Sequence, residues 1–168
     1  MRTLISCLFI LFAIAAVPAS AQDSDQPLLV NIKRMSLDTA LRVAKATIDA
    51  CRKEGVQIAV TVVDRGGHPQ VILRDVLAPD ITVKISKQKA HTAMAFNAAT
   101  STLEDRFTKP FSVGKVEGLL FSAGGVPIQA SGSIIGGVGV SGAPSGQLDE
   151  ACASAGIEAI TDDLEMAD

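Results

Sequence analysis

S-A-G-G-V-P-I-Q-A-S-G-S-I-I-G-G-V-G-V-S-G-A, residues 122–143, is the stretch that decides the fold. Seven of its residues are glycine, and six of the others are Val or Ile. Glycine weakens a strand and is kept where φ is positive or where another group comes close to the backbone. The pattern predicts a β-hairpin with strands Val126–Ala130 and Ser133–Ser141, joined by a turn at Ser131-Gly132. The glycines leave one face almost bare, and a flat ligand or a neighbouring subunit would fit against it.

Hydrophobic periodicity places the other elements around this hairpin. Leu37, Leu41 and Ala44 recur at spacings of three and four, which predicts a helix with one apolar face. The predicted elements are helix Met35–Glu54 with Ser36 as N-cap, strands Gln57–Asp64 and Pro69–Arg74, helix Ile81–Ala99 capped by Asp80, a short helix through Phe107, strand Leu119–Phe121, the hairpin, and helix Gly146–Met166. Neighbouring strands can pair antiparallel through short turns. We therefore predict an α+β fold with a five-stranded antiparallel sheet flanked by helices, the first and last helices covering one face.

The N-terminal stretch is typical of an export signal. A basic start is followed by the apolar run Leu4–Val17 and by Ala19-Ser20-Ala21, an A-x-A cleavage signal. The run is shorter than the roughly 20 residues that span a bilayer. The sequence predicts a signal peptide over residues 1–21 and a single domain over residues 22–168. We expect a periplasmic or secreted protein with no integral membrane segment after cleavage.

Charge and composition narrow the choice of partners. Without Arg2 the mature chain carries 14 basic and 18 acidic residues, and the sequence has no Trp and no Tyr. A net negative charge argues against nucleic acid as the main partner. Stacking platforms for bases or sugars are also scarce.

Two cysteines remain after cleavage, Cys51 and Cys152, one in each terminal helix. In an oxidising compartment they could form a disulfide that closes a loop of roughly 100 residues. They could equally be two buried thiols that act as small apolar residues. The sequence leaves both alternatives open, because it does not give the distance between them.

Six segments carry a resemblance to a known family. The segments are V-V-D-R-G-G-H (Val62–His68), R-D-V-L-A-P (Arg74–Pro79), K-A-H-T-A (Lys89–Ala93), G-G-V-P-I (Gly124–Ile128), I-G-G-V-G-V-S-G-A (Ile135–Ala143) and D-E-A-C-A-S-A-G (Asp149–Gly156). In this order they resemble the GlcG/HbpS family of heme-binding proteins, which is also similar to the C-terminal domain of some corrinoid adenosyltransferases. The resemblance implies a profilin-like fold, a homo-oligomer that is often an octamer, a non-enzymatic or poorly defined role, and heme bound by some members.

Both histidines are candidate ligands of heme iron. His91 shares one side of its predicted helix with Lys84, Lys87 and Met94. An imidazole or a thioether could meet the iron while the ammonium groups meet two propionates. His68, in the turn between the first two strands, could be an exposed iron ligand. The alternatives without a ligand are that His91 lies on a solvated side of its helix and that His68 is an ordinary polar residue of the turn. We predict a protein that binds heme or another tetrapyrrole without catalysis, and that serves in heme storage, sensing or transfer.

Two other functions stay open. An enzyme or binding protein for a small organic acid could use Arg74, Asp75 and Lys89, with the backbone N–H groups of Gly124 and Gly125 forming an anion-binding nest. Arg74 and Asp75 could instead be a loop ion pair, Lys89 a surface residue, and the glycines a packing contact between subunits. The third function is a structural oligomer without a ligand. The sequence has neither a Cys/His cluster with the spacing of zinc ligands nor a G-x-S-x-G nucleophile motif.

Overall fold

The computed structural model describes residues 27–108 and 113–167. The predicted signal peptide, residues 1–21, lies outside the described residues. The elements below all belong to one compact unit that begins at Ile32.

Three α-helices flank the sheet, and local sequence explains their ends. The helices are α1 (Leu37–Lys53), α2 (Ile81–Phe96) and α3 (Gly146–Met166). Ser36 caps α1 as predicted, because its side chain accepts a hydrogen bond from the N–H of Thr39. Asp80 precedes α2, but its side chain makes no capping hydrogen bond, so that prediction is wrong. The helix α2 ends at Phe96, three residues before the predicted end, and Asn97 follows it in the left-handed region.

Four strands form one antiparallel sheet. They are β1 (Ala59–Asp64), β2 (Pro69–Arg74), β3 (Gly125–Ala130) and β4 (Ser133–Ser141), in the spatial order β2-β1-β4-β3. The predicted hairpin is therefore present as β3 and β4. Its two-residue turn has positive φ at both Ser131 (47°) and Gly132 (73°), as the right-handed twist of a tight hairpin requires.

The predicted fifth strand, Leu119–Phe121, does not form among the described residues, and the sheet has four strands instead of five. Local turn and side-chain contacts take the place of a neighbouring strand, since the N–H of Leu119 donates to the carbonyl oxygen of Val116 at 3.3 Å. The N–H of Leu120 donates to Thr92 Oγ1 at 2.8 Å. Phe121 packs its ring against Phe96 and Phe107 at centroid distances of 5.2 and 4.7 Å. These contacts hold the segment against α2 and remove any need for strand pairing.

The helices α1 and α3 pack on one face of the sheet, as predicted. The central side chains on this face are branched and fully buried. Val60 of β1 lies opposite Val140 of β4, and Val62 lies opposite Val138. This face forms the main hydrophobic core.

The other face carries the glycines, and α2 covers it. Thr61 of β1 lies opposite Gly139 of β4. A Cβ on Gly139 would be 2.2 Å from the carbonyl oxygen of Ser86, and one on Gly137 would be 2.6 Å from that of Ala90. Such distances are far inside van der Waals contact. The bare face is therefore filled by a helix of the same chain, which corrects the prediction that it receives a ligand or a subunit.

A disulfide joins α1 to α3. Cys51 and Cys152 are bonded, with their Cα atoms 5.4 Å apart and a separation of 101 positions in sequence. Both residues are buried in the core. Of the two alternatives that the sequence left open, the structure has the disulfide.

Within the described residues, no helix has the length and apolar character needed to cross a membrane.

Candidate functional site

A pocket at the solvent-facing side of α2 collects three of the predicted site residues. We call it the histidine pocket, and its volume is about 360 Å³. Lys84 and Lys87 are exposed, whereas His91 is half-buried. The lining residues are Lys84, Lys87, Gln88, His91, Glu117 and Gly118. Spacings of three and four along α2 bring the two ammonium groups and the imidazole to one side of the helix.

The turn between β1 and β2 positions the imidazole of His91. Its Nδ1 lies 3.5 Å from the carbonyl oxygen of Gly67, at the long end of a hydrogen bond. If Nδ1 carries the proton, it donates to Gly67 and leaves Nε2 free as a ligand. A Cβ on Gly67 would be 2.5 Å from Nδ1. Glycine at this position, with φ of 79°, therefore leaves room for the ring.

Met94 and His68 are placed elsewhere. Met94 lies against Gly67 and Gly137 and lines a different pocket, together with Arg34 and Arg65. The terminal methyl group of its thioether lies against the turn at Gly67, and its Cβ lies against Gly137 of the sheet. His68 is 79% exposed, and its Nδ1 is 3.4 Å from Asp64 Oδ1. The structure thus joins His91 to the two lysines but does not bring Met94 or His68 into the histidine pocket.

Asp64 organises the turn that carries His68. Its Oδ1 accepts hydrogen bonds from the N–H groups of Gly66 (2.8 Å) and His68 (3.0 Å). Burial alone would raise the pKa of Asp64. The N–H donors of His68 and Gly66, with the nearby His68 ring and Arg34 guanidinium, outweigh burial and hold that pKa below its usual value. The carboxylate therefore stays charged and keeps the turn closed.

Lys89 is neither an anion-binding residue nor a surface residue. Its side chain is 5% exposed, and Nζ lies 2.9 Å from Asp149 Oδ2, whose side chain is also 5% exposed. The other oxygen of Asp149 accepts the N–H of Ala143 at 3.0 Å. Lys89 therefore ties α2 to the start of α3, and its ammonium is not available to a ligand.

The backbone of Gly124 and Gly125 does not form an anion-binding nest. The N–H of Gly124 donates to Glu150 Oε2 at 3.1 Å, and that of Gly125 donates to Thr100 Oγ1 at 2.8 Å. Both glycines are buried, and a Cβ on Gly125 would be 2.5 Å from the carbonyl oxygen of Lys89. These glycines allow α2 to approach the sheet, so the proposed anion site and the proposed subunit contact are both corrected.

Arg74 and Asp75 do not pair through their side chains. Arg74 donates to the backbone carbonyl oxygens of Asp75, Val76 and Ala78 and so closes its own loop. Asp75 Oδ1 accepts two hydrogen bonds from Arg52 of α1, from Nε at 3.1 Å and from the terminal nitrogen NH2 at 2.5 Å. The partner of Asp75 is therefore a residue that the sequence analysis did not single out.

Arg52, Arg74 and Asp75 border a second pocket, which we call the α1–β2 pocket. Its volume is about 480 Å³. The lining residues are Leu41, Lys45, Ile48, Asp49, Arg52, Leu73, Arg74 and Asp75. Leu41, Lys45 and Ile48 share one side of α1, because they are four and three residues apart. Nothing in the sequence indicated that β2 would lie beside that side.

Metal binding by a cluster of side chains is not a property of the described residues. Among residues 27–108 and 113–167, no group of three or more His, Cys, Asp or Glu could hold a metal ion. A heme iron takes only one or two protein ligands, so the absence of such a group does not bear on the predicted role of His91.

The fold and the pocket define a class: an α+β protein whose glycine-faced antiparallel sheet supports a helix that presents a histidine and two lysines. The sequence model of the family described as "Haem degrading protein HbpS-like" matches residues 35–158. The chain therefore belongs to the HbpS-like family, and the resemblance seen in the sequence is confirmed.

Relatives and solved structures agree with this assignment. Protein GlcG of Escherichia coli (strain K12) is 34% identical over 109 residues, which cover 64% of this chain and 81% of GlcG. A crystal structure of HbpS is 39% identical with a TM-score of 0.75, covering 78% of this chain and 93% of that chain. A crystal structure of a PduOC:heme complex is 25% identical with a TM-score of 0.68, covering 76% of this chain and 96% of that chain.

Proposed function

We propose that this protein binds heme, or a related tetrapyrrole, in the histidine pocket. The observation that carries the proposal is the placement of His91 beside Lys84 and Lys87 in one pocket. The imidazole would ligate the iron, and the ammonium groups would pair with the two propionates. The similarity to PduOC, whose crystal structure is a complex with heme, supports this choice of ligand.

The residues of the pocket fit part of a heme. A volume of about 360 Å³ lies in the range of small-molecule sites, which is roughly 300–1,000 Å³. The aliphatic stems of Lys84, Lys87 and Gln88 supply apolar surface beneath their polar ends. Val116, next to Glu117 in the chain, is 55% exposed and can extend that surface. The remainder of the macrocycle would project beyond the pocket, towards Val116 or a second copy of the chain.

The proposal also assigns the chain a profilin-like fold. It further includes assembly into a homo-oligomer. The loop after β2 exposes Val76 by 81% and Leu77 by 76%, and Ile81 at the start of α2 is 57% exposed. Clustered apolar side chains of this kind commonly mark contacts between proteins. Light scattering coupled to size exclusion would give the number of subunits, for which an octamer is the expectation. A monomer at all concentrations would remove this part of the proposal.

The periplasm or the extracellular space is the proposed location. The disulfide between Cys51 and Cys152 supports it, because such bonds persist in oxidising compartments. N-terminal sequencing of the secreted protein should begin at Gln22. Retention of residues 1–21 in the mature protein would contradict the proposed export.

Hemin titration of the purified protein tests the proposal. We expect a Soret band in the wild type that His91→Ala weakens or shifts. Lys84→Gln combined with Lys87→Gln should weaken binding while the position of the band is kept, because the iron ligand remains. Lys53→Gln, which removes a charge at the far end of α1, is the matched control. If His68→Ala abolishes the band and His91→Ala does not, the iron is held at the turn and the proposed pocket is wrong.

The proposed role is binding for storage, sensing or transfer, without turnover. The family description contains the words "haem degrading", so the protein loaded with hemin should be incubated with ascorbate in air. We expect the Soret band to persist. Loss of the band together with release of chelatable iron would show that the chain degrades heme. A wild type that shows no band while forming a defined oligomer would favour the structural role.

The five residues proposed from the sequence to bind a small acid do not form one site. Lys89, Gly124 and Gly125 are occupied within the chain, near the start of α3. Arg74 and Asp75 border the α1–β2 pocket instead. A small-acid site can therefore be assembled only around that pocket.

A further inference from the structure

We propose that the α1–β2 pocket is a second ligand site, which takes a short-chain carboxylic acid that carries a hydroxyl group. The proposal is independent of heme binding, because the residues that line this pocket and those that line the histidine pocket do not overlap. It rests on three features of the pocket: an apolar strip, an unpaired ammonium group and an unpartnered carboxylate oxygen.

The apolar strip would hold the alkyl chain. Leu41 and Ile48 lie seven residues apart on one side of α1, and Leu73 of β2 faces them across the pocket. Leu41 is 39% exposed, which leaves apolar surface in contact with water. A chain of four to six carbons that covers this strip would gain the ordinary hydrophobic free energy of burial.

The ammonium group of Lys45 would hold the carboxylate. Lys45 lies between Leu41 and Ile48 on the same side of α1, and it is exposed. Arg52 is bound to Asp75, and Arg74 is bound to its own loop. Within the described part of the chain, Lys45 is therefore the cation of this pocket whose side chain has neither an ion pair nor a hydrogen bond. With three cations and two carboxylates around it, the pocket attracts an anion.

The carboxylate of Asp75 would receive the hydroxyl. Its Oδ1 takes both hydrogen bonds from Arg52, so the carboxylate is fixed in orientation. Its Oδ2 is buried and has no hydrogen-bond partner among the described residues. A buried acceptor without a donor is rare in folded proteins, and it marks a place where a water molecule or a ligand supplies the donor. Asp75 lines the pocket, and a ligand hydroxyl that displaces its cover and reaches Oδ2 would provide that bond.

Calorimetric titration with three matched probes tests each feature. The probes are 2-hydroxyhexanoate, hexanoate without the hydroxyl, and hexane-1,2-diol without the carboxylate. We expect 2-hydroxyhexanoate to bind tightest, and each of the other two to bind about tenfold more weakly, since each lacks one hydrogen bond to a charged group. Lys45→Gln should weaken both acids about tenfold and leave the diol unchanged. Lys53→Gln, on the same helix but outside the pocket, should leave all three unchanged.

Several outcomes would overturn the assignment. Equal affinities for 2-hydroxyhexanoate and hexanoate would mean that water alone satisfies Asp75 Oδ2. Unchanged binding in Lys45→Gln, or no binding of any probe to the wild type, would remove the site. His91→Ala should bind 2-hydroxyhexanoate as the wild type does. Loss of acid binding in that variant would place the acid in the histidine pocket, and it would leave the heme proposal to be decided by the Soret titration.

Discussion

The two faces of the sheet are built in opposite ways. On the α1/α3 face, buried valines from β1 and β4 stand opposite one another, and a disulfide ties the two helices together. On the α2 face, Gly137 and Gly139 replace side chains, and the backbone of α2 lies directly on the strands. Polar groups are also buried there, since Thr61 Oγ1 and Ser86 Oγ lie 2.8 Å apart.

The α1/α3 face serves the stability of the fold, whereas the α2 face positions the helix that carries the candidate site. A face filled by branched side chains tolerates exchange of one apolar residue for another of similar volume. A face built on glycine contacts and fixed polar pairs fixes the position of the helix, because the backbone of α2 already touches the strands and cannot move closer to them. The helix held in this way is α2, which presents Lys84, Lys87 and His91 on its outer side. The more closely fitted face thus supports the candidate site.

The disulfide of the α1/α3 face should give the largest effect. Replacing both cysteines, Cys51→Ala with Cys152→Ala, removes the cross-link of a loop of about 100 residues. The expected loss is up to about 5 kcal/mol in the free energy of unfolding, by the chain-entropy account. Guanidinium denaturation of the wild type with and without reductant, beside the double variant, measures it. A change below about 1 kcal/mol would mean that packing alone holds this face together.

The ion pair at the edge of the α2 face should come next. Lys89→Met leaves the carboxylate of Asp149 buried without its partner, which typically costs about 3–5 kcal/mol. Adding Asp149→Asn should recover part of that loss, because the charge is gone while the amide oxygen can still accept the N–H of Ala143. Lys87→Met, an exposed position on the same helix, should change stability by less than about 0.5 kcal/mol. A double variant as unstable as Lys89→Met would show that the charge is not the cause.

The glycine contacts should give a smaller but still large effect. Gly139→Ala puts a Cβ 2.2 Å from the carbonyl oxygen of Ser86, and it should cost about 3 kcal/mol, the upper end of the usual range for overpacking. Gly132→Asn, in the open turn where φ is 73°, is the control and should cost little, since Asn tolerates this conformation. On the opposite face, Ile160→Leu should cost less than about 1.5 kcal/mol. Thermal unfolding of the three variants compares the two faces directly, and equal losses would contradict the difference in packing between them.

Most of the fold was predictable because its elements are local patterns. The bounds of β2 and α3, and the turn at Ser131 and Gly132, were predicted residue for residue. The prediction of the fifth strand was wrong because the hydroxyl of Thr92, 28 residues away in sequence, takes the N–H of Leu120, and Glu104 takes the N–H of Ala123 just after the segment. The occupant of the glycine face could not be predicted, because the small residues of α2 lie on more than one side of the helix.

The candidate site was only partly predictable, because part of it depends on contacts between residues that are distant in sequence. The grouping of Lys84, Lys87 and His91 follows from helical spacing, and the structure places them in one pocket. Glu117 joins them from an irregular segment, which has no periodicity to indicate its position. The partners of Asp75 and Lys89, namely Arg52 and Asp149, are separated from them by 23 and 60 residues. Only the packing of helices against strands brings such residues together.

The smallest expected effect lies at Asp64, the last residue of β1. Its pKa is lower in the folded protein than the unfolded value of 3.8, so its stabilising contribution is complete above that pH and is lost as the pH falls through the lower folded value. In Asp64→Asn the amide oxygen can still accept the N–H groups of Gly66 and His68, but it does not titrate. Urea denaturation at pH 5 and pH 3 should therefore show a larger loss of stability in the wild type than in Asp64→Asn. Identical losses would mean that protonation of Asp64 has no bearing on the turn, and that the turn beside His91 is held by backbone geometry alone.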